Sequence, residues 1–339
     1  MGVLSEFKNF EEKKLIATHI VIKTKNEFDH YFDQFNKSGS IWRGLSESKF
    51  RLYTSLQRFW INEDLPNDIE LVKKYLKTIL DYSNKWNLDC LRKYLRNYGI
   101  NDFTPYSVLS VLRHHGTPTP ILDWSRNPHI ALFFGAEYTI PEEGESEISN
   151  YFSLYEMKPD HVYKKLEQKN STFDFWKTRE HELRTFNKIK DGEDEDFLKN
   201  FYQGFLNSDE LFFKDITHSP ILMIEDLPND EFQYYINNNY NITNQEGLFV
   251  LNISPDLPLE LAIWERMEQI GAVRDESKEV IKKAFLEKHM NNFFCYDIHK
   301  SLRHYVLEKL NSVGINKSYV YPDLKELAES CVQEFMKKL

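Results

Sequence analysis

Pro118 and Pro120, two residues apart, are the feature that most restricts how this chain can fold. Proline fixes its own backbone and disfavours a helical conformation in the residue before it, so no helix can run through this segment. Gly116, just before them, can adopt a positive φ that other residues avoid. The sequence therefore predicts a rigid, non-helical segment that holds the side chains of residues 123–125 in place. Rigid irregular backbone of this kind commonly presents functional groups.

The side chains held by this segment are Asp123, Trp124 and Ser125, and His115 lies just before it. The apolar run that follows predicts a helix over 128–138, with a proline at its first position. Asp123 or Ser125 could therefore cap this helix instead of forming a site. A cap accounts for one polar side chain but not for the histidines and prolines, so both interpretations stay open.

A second unusual position is Arg43, in the middle of the apolar strand predicted over 40–48. A buried guanidinium needs a partner, and Gly44 beside it marks a point of close backbone approach. Together they are typical of an anion site, in which Arg43 binds a phosphate or carboxylate and Gly44 makes room for it. The alternative is that Arg43 pairs with a carboxylate of the protein itself, and Asp123 is the first candidate.

A third position of interest is the polar pair Gln245 and Glu246, directly before a buried strand predicted over 247–254. An amide or carboxylate at the entry of a strand could form hydrogen bonds with ribose hydroxyls. The composition of this segment is equally typical of a polar turn that leads into a strand.

The overall composition disfavours several classes of function. The net charge is −10 over 339 residues, which argues against charge-driven binding to nucleic acid or to an anionic membrane. No apolar run approaches the length of a membrane span, and the first residues lack the pattern of a signal peptide. Three widely spaced cysteines fit reduced thiols, so we expect a cytoplasmic protein. Without a CxxC pair, and with the two histidines adjacent, no metal site is expected.

The predicted helices and strands mix without the regular rhythm of a doubly wound fold. We expect an α+β fold with a curved mixed or antiparallel sheet and helical insertions. We expect one domain over 1–339, with a core over about 18–137 and 219–335 and an insertion or helical lobe over 138–215. Strands are predicted at 18–24, 40–48, 151–159, 220–226 and 247–254, and from Cys295 onward. Helices are predicted at 26–35, 67–99, 106–113 and 128–138, within 160–206, before Gly314 and at the end of the sequence.

Five segments, in the right order, resemble the FRG domain family, which is named for an aromatic-Arg-Gly motif. Here that motif is Trp42-Arg43-Gly44, with tryptophan in place of the usual phenylalanine or tyrosine. The other segments are RLYTSLQR (51–58), HHGTPTPILDWSRNPHIALFFGA (114–136), NITNQEGLF (241–249) and INKSYVYPDLKEL (315–327). The sequence departs from the family pattern at Pro120 and Asn241, where arginine is usual, and at Ser125, where threonine is usual.

The resemblance implies a function in bacterial or phage conflict, as a defence protein or a toxin. The layout is also similar to that of ADP-ribosyltransferases, which have an arginine on an early strand and a Ser or Thr before an apolar helix. These enzymes also have a Gln or Glu beside a later strand. This similarity implies an NAD-using ADP-ribosyltransferase or NAD glycohydrolase that acts on a small-molecule nucleotide or a protein acceptor, without membrane or nucleic acid.

Cleavage of NAD passes through an oxocarbenium-like state, so the site must bind the diphosphate, stack on a ring and polarise the ribose. In this interpretation Arg43 binds a phosphate, and Gln245 or Glu246 addresses the ribose 2′-hydroxyl. The remaining roles fall to Tyr53 or Trp124 for stacking, Ser125 for orienting the cofactor and His115 for the adenosine-side ribose.

The alternative is a non-catalytic module that senses a nucleotide or a protein, with Arg43, His115 and Asp123 lining a recognition pocket. The acidic composition would favour a basic protein partner. A nuclease is disfavoured, because no carboxylates have convincing two-metal spacing.

Overall fold

The computed structural model describes residues 2–35, 39–86, 88–97, 105–140, 144–158, 221–224, 240–267 and 293–322. The helices predicted within 160–206 and at the end of the sequence lie outside these residues, as does most of the insertion predicted over 138–215. Among the described helices, none combines the length and hydrophobicity that a membrane span requires.

The centre of the described structure is one mixed sheet of seven strands. Their order across the sheet is β1-β7-β4-β2-β3-β6-β5. β1 and β7 are parallel, and every other neighbouring pair is antiparallel. The strands are β1 (Thr18–Ile22), β2 (Ile41–Leu45), β3 (Ile121–Ser125), β4 (Tyr151–Met157), β5 (Ile221–Ile224), β6 (Gly247–Asn252) and β7 (Phe293–His299). The predicted α+β class with a mixed sheet is therefore confirmed.

Helices surround this sheet. They are α1 (Phe10–Lys14), α2 (Lys25–Phe32), α3 (Ser55–Asn62), α4 (Ile69–Trp86), α5 (Leu88–Asn97), α6 (Pro105–His114), α7 (Pro128–Glu137), α8 (Tyr240–Asn244), α9 (Leu259–Met267), α10 (Arg303–Ser312) and α11 (Lys317–Val320). The sequence patterns missed α1, α3, α8, α9 and α11. Three of these, α1, α8 and α11, have only four or five residues, so their hydrophobic periodicity is weak.

Alternate residues of the central strands belong to two hydrophobic cores, because successive side chains of a strand point to opposite faces. The first core contains Ile41, Tyr155 and Cys295, and the second contains Trp42, Leu154 and Tyr296. Helices α3, α4, α6 and α9 pack on the first core, and α2, α7, α10 and α11 on the second. All seven residues of β4 are buried, as expected for a strand covered on both faces.

Local caps decide where two of the helices begin. α2 begins at Lys25 because the Thr24 side chain accepts a hydrogen bond from the Glu27 main chain, and the Glu27 carboxylate accepts one from the Thr24 main chain. The sequence suggested Asn26 as the cap, but the cap is Thr24, two residues earlier in the chain. At α7 the cap is Asn127, whose side chain accepts from the His129 amide, and Pro128 is the first helical residue as predicted.

A buried ion pair joins α1 to the sheet. Lys13 Nζ lies 2.8 Å from Asp297 Oδ1 on β7, and neither side chain is exposed to solvent. Lys13 also donates to Ser48 and Ser153, while His19 Nε2 lies 2.7 Å from the other carboxylate oxygen of Asp297. The segment before residue 18, which the sequence placed outside the core, is thus fixed to it by charge.

Candidate functional site

A cavity of about 470 Å³ lies where β2 and β3 separate. These strands are paired only at Trp42 and Ser125. Beyond that pair, Arg43 Nη1 donates to the main-chain carbonyl of Asp123, so a side chain bridges the gap that a strand ladder would fill. Residues from β6, α3, α6, α7 and α8 and the aromatic ring of Tyr321 complete the walls.

Most of the residues predicted from the sequence line this one cavity. They are Arg43, Gly44, Asp123, Trp124, Ser125 and Gln245. Three others do not line it: Tyr53, His115 and Glu246. Arg43 and Gln245, 202 positions apart in the chain, meet here because β3 lies between β2 and β6.

Arg43 and Asp123 do not form the sealed, two-point ion pair that would make them purely structural. The closest carboxylate oxygen of Asp123 is 3.9 Å from Arg43 Nη1, and 51% of the Asp123 side chain is exposed. The same oxygen is closer to Arg113, at 2.8 Å from Nη2. The Nε of Arg43 and that of Arg113 are both buried and without a hydrogen-bond partner among the described residues.

The cavity concentrates positive charge. Arg43, Arg58 and Arg113 line it together, and among the described residues Asp123 is the one carboxylate that faces them. Burial lowers the pKa of Arg43 to about 10; Asp123 opposes this shift, and the two other arginines add to it. Burial and Arg113 also lower the pKa of Arg58, which is more exposed. Three guanidinium groups against one carboxylate leave an excess of two positive charges.

Arg58 and Arg113 were not among the site residues predicted from the sequence. Arg58 is the last residue of the segment RLYTSLQR, so the family pattern already included it. Arg113 is in the last turn of α6, where a cation is favoured by the helix dipole and needs no site to explain it. No local pattern distinguishes such an arginine from one that reaches a cavity formed by strands elsewhere in the chain.

Of the two adjacent histidines, the structure places His114 at the cavity, whereas the prediction from the sequence named His115. His114 lines it, while His115 lies at the end of α6 with its ring 6.0 Å from that of Tyr94. Adjacent residues at the end of a helix point about 100° apart, so only one of the two can face the cavity. Burial and then His115 lower the pKa of His114, which favours the neutral form of its ring.

Aromatic rings form another part of the cavity wall. Phe134 and Tyr321 meet edge to face at 6.0 Å, and the Tyr321 hydroxyl is 2.8 Å from that of Tyr138. Trp124 lines the cavity too, and its buried Nε1 has no partner among the described residues. Tyr53, the other predicted stacking residue, is buried elsewhere, and its hydroxyl is 2.7 Å from Ser5 Oγ.

Gly44 makes room for a helix and not only for a ligand. A Cβ atom at this position would lie 1.9 Å from the carbonyl oxygen of Ala131 and 2.5 Å from the amide nitrogen of Gly135, both in α7. The close backbone approach predicted from the sequence is therefore present, but the backbone that approaches is the protein's own.

Ser125 and the pair Gln245–Glu246 are held by hydrogen bonds within the protein. Ser125 Oγ donates to the Gln245 carbonyl and accepts from the Asn127 amide. Neither Ser125 nor Asp123 caps α7, since Asn127 does. The Gln245 side chain donates to the Val320 carbonyl, and the Glu246 carboxylate accepts from the Asn127 side chain outside the cavity. Glu246 also has a φ of 47°, the left-handed conformation of a tight turn.

Comparison with known families identifies part of the chain. Residues 38–144 match the family model of the FRG domain. Over these residues the chain is similar to the FRG domain. The match extends from just before β2 to just after α7, and it contains all four charged residues of the cavity. No curated protein and no solved structure was found to match the chain.

Within the described residues, His, Cys, Asp and Glu side chains form no group of three or more that could hold a metal ion. Cys295, the free cysteine of the described core, is buried in the sheet, and burial raises the pKa of its thiol to about 12.

Proposed function

We propose that the cavity of the FRG domain binds a nucleotide through its phosphates, with NAD and its ADP-ribose part as the ligands to test first. The observation that carries this proposal is the cluster of Arg43, Arg58 and Arg113 around a single carboxylate. Guanidinium groups match phosphate geometry through paired hydrogen bonds, and they are enriched wherever phosphate is recognised.

Burial of positive charge supports a ligand of opposite charge. The Arg43 side chain is only 15% exposed, its one hydrogen-bond partner among the described residues is a main-chain carbonyl, and its lowered pKa reflects the cost of desolvation. Buried charges are normally paired, so a phosphate beside Arg43 and Arg113 would offset this cost.

The size and the walls of the cavity fit the rest of a nucleotide. Small-molecule sites usually enclose several hundred Å³, and this cavity has about 470 Å³. Phe134, Tyr138 and Tyr321 offer ring faces and edges on which a base or a nicotinamide could stack. Stacking of this kind distinguishes a nucleotide from inorganic phosphate or a sugar phosphate.

Cleavage of bound NAD is a second candidate, and the position of Asp123 favours it. Asp123 is half exposed and lines the cavity, where a carboxylate could stabilise an oxocarbenium-like state. The groups assigned to the ribose from sequence are less suited to it. Glu246 lies outside the cavity, and the amide of Gln245 already donates to Val320. Binding is therefore our principal proposal, and cleavage is a separate test.

Two further expectations stay proposals. The function in bacterial or phage conflict rests on the family resemblance, and recognition of a protein partner rests on the acidic composition of the chain. Both expectations are compatible with a module that binds a nucleotide and, in response, interacts with another protein.

The binding proposal is tested by isothermal titration calorimetry with NAD and ADP-ribose. Arg58→Gln is the variant of choice, because Arg58 lies at the exposed side of the cavity and its loss leaves β2 intact. We expect binding about tenfold weaker, the usual size of one charged phosphate contact. Lys77→Gln, on the exposed face of α4, is the control for net charge and should bind as the wild type does. Equal affinity in all three proteins, or none in any, contradicts the proposal.

The cleavage candidate is tested by release of nicotinamide from labelled NAD. Asp123→Asn should abolish release while the protein still binds ADP-ribose. Binding without release in the wild type, next to an active control enzyme, would leave binding as the function and eliminate cleavage.

A further inference from the structure

We propose that Asp123 is an internal counter-ion of the arginine cluster and that a ligand phosphate displaces it. Asp123 thereby determines how much negative charge a ligand needs in order to bind. This inference rests on the proposed nucleotide binding and adds a residue that determines its charge specificity.

The geometry places the Asp123 carboxylate where a phosphate would bind. One of its oxygens is 2.8 Å from Arg113 Nη2 and 3.9 Å from Arg43 Nη1, so it lies between two guanidinium groups. A phosphate oxygen in the same cavity would seek the same two donors. The two anions cannot share this position, because like charges a few ångströms apart repel each other strongly.

Asp123 can leave this position without disturbing the strand. It is the one exposed residue of β3, and its side chain is 51% exposed. Its main chain is fixed independently, by pairing with Phe249 of β6 and by accepting the hydrogen bond from Arg43. A change of side-chain rotamer would therefore move the carboxylate into solvent, where its interactions are screened, while the backbone of the site stays in place.

The charge count gives this exchange a direction. With Asp123 in place, the described cavity has an excess of two positive charges, and displacement of its carboxylate leaves a third positive charge for the ligand to neutralise. Replacing Asp123 with asparagine preserves the shape of the side chain and raises the excess to three. The resulting gain in affinity should grow with the charge of the ligand, because each added negative charge interacts with one more uncompensated cation.

The test is calorimetric titration of wild type and Asp123→Asn with three ligands of rising charge: adenosine, ADP-ribose and metal-free ATP. We expect no change for adenosine, about threefold to tenfold tighter binding of ADP-ribose, and a larger gain for ATP, as expected for one charge a few ångströms away in a partly solvated site. Asp33→Asn, an exposed position outside the cavity, makes the same change in net charge and should leave all three affinities unchanged.

The outcomes separate this inference from the proposed function. If the wild type binds neither ADP-ribose nor ATP, the proposed function fails. If the wild type binds them but Asp123→Asn binds equally or more weakly, or gains equally for adenosine, the counter-ion inference is wrong and the binding proposal stands. Should Asp123→Asn not fold, Asp123→Ser removes the same charge with a smaller side chain. The expected result is the same: a gain in affinity that increases with the charge of the ligand.

Discussion

At the scale of single residues, Gly44 shows how closely the site is tied to packing. The residue lies next to Arg43 on β2, and the backbone of α7 passes over it so closely that no side chain fits. Helix α7 forms one wall of the cavity, and β2 carries its most buried arginine. The close packing of α7 on β2 therefore depends on the absence of a Cβ atom at Gly44.

We predict that Gly44→Ala destabilises the protein by about 3 kcal/mol, the upper range for forcing an atom into a packed interior. The clash is with main-chain atoms of Ala131 and Gly135, which cannot rotate away. Urea unfolding measures the effect. Gly39→Ala is the control: Gly39 has open space around it but a φ of 87°, so we expect a cost of only about 1 kcal/mol. Equal costs at both positions would show that the close approach of α7 is wrong.

Sequence reasoning reached Arg43, Asp123 and Trp124 because each is unusual where it stands: a charge inside an apolar strand, or polar and aromatic groups after two prolines. It also singled out Tyr53 and Glu246, which lie outside the cavity and whose partners come from distant parts of the chain. Tyr53 meets Ser5, and Glu246 meets Asn127 across the end of β3. Periodicity and turn composition report on local backbone, and neither reports which distant residue satisfies a polar group.

At the scale of elements, helix α1 could not be predicted from the sequence, because the partners of its buried Lys13 are distant in the chain. Its five residues, FEEKK, include four charged ones and show no hydrophobic periodicity. In the structure Lys13 is buried among Ser48, Ser153 and Asp297, which come from three separate parts of the chain. The pair fixes the N-terminal segment onto β7, and breaking a buried ion pair leaves a charge without compensation.

We predict that Lys13→Met lowers the free energy of unfolding by about 3–5 kcal/mol, the usual cost of breaking a buried pair. Lys14→Met is the matched control, because Lys14 is exposed and its ion-pair partner among the described residues is the exposed Glu11. Its free energy of unfolding should stay close to that of the wild type. A Lys13→Met protein as stable as the control would mean that α1 is not anchored by this pair.

The same pair predicts how stability depends on pH. Burial alone would raise the pKa of Asp297, but Lys13 and His19 outweigh it and lower the pKa from 3.8 to about 2. A carboxyl group whose pKa is lower in the folded state stabilises the protein above its unfolded pKa, and this contribution is lost as pH falls toward the folded pKa. We therefore expect about 2 kcal/mol to be lost between about pH 4 and pH 2. Urea unfolding at several pH values should show a smaller loss in Lys13→Met.

At the scale of the whole molecule, the FRG match covers less of the fold than its motifs suggest. Residues 38–144 contain β2 and β3 but none of the strands that flank them. β2 pairs along its whole length with β4, and β3 along its whole length with β6, whereas β2 and β3 share a single pair of residues. The α+β class followed from composition and pattern, but this strand order depends on pairings between distant segments.

We predict that a fragment of residues 38–144 does not fold cooperatively, because its two strands leave most main-chain groups of the sheet unpaired. Thermal unfolding followed by circular dichroism should show no sigmoidal transition for the fragment and a cooperative one for the full chain in the same buffer. A cooperative transition with dispersed NMR signals in the fragment would make the matched segment an independent domain and contradict the strand order.

The central claim is that the arginine cluster is a phosphate site, and a crystal structure of the full chain with ADP-ribose tests it most directly. We predict the diphosphate within hydrogen-bonding distance of the guanidinium groups of Arg43 and Arg113, with the Asp123 carboxylate turned away from them. ADP-ribose bound outside this cavity, or a cavity left empty at ligand concentrations that saturate binding in solution, would contradict the account.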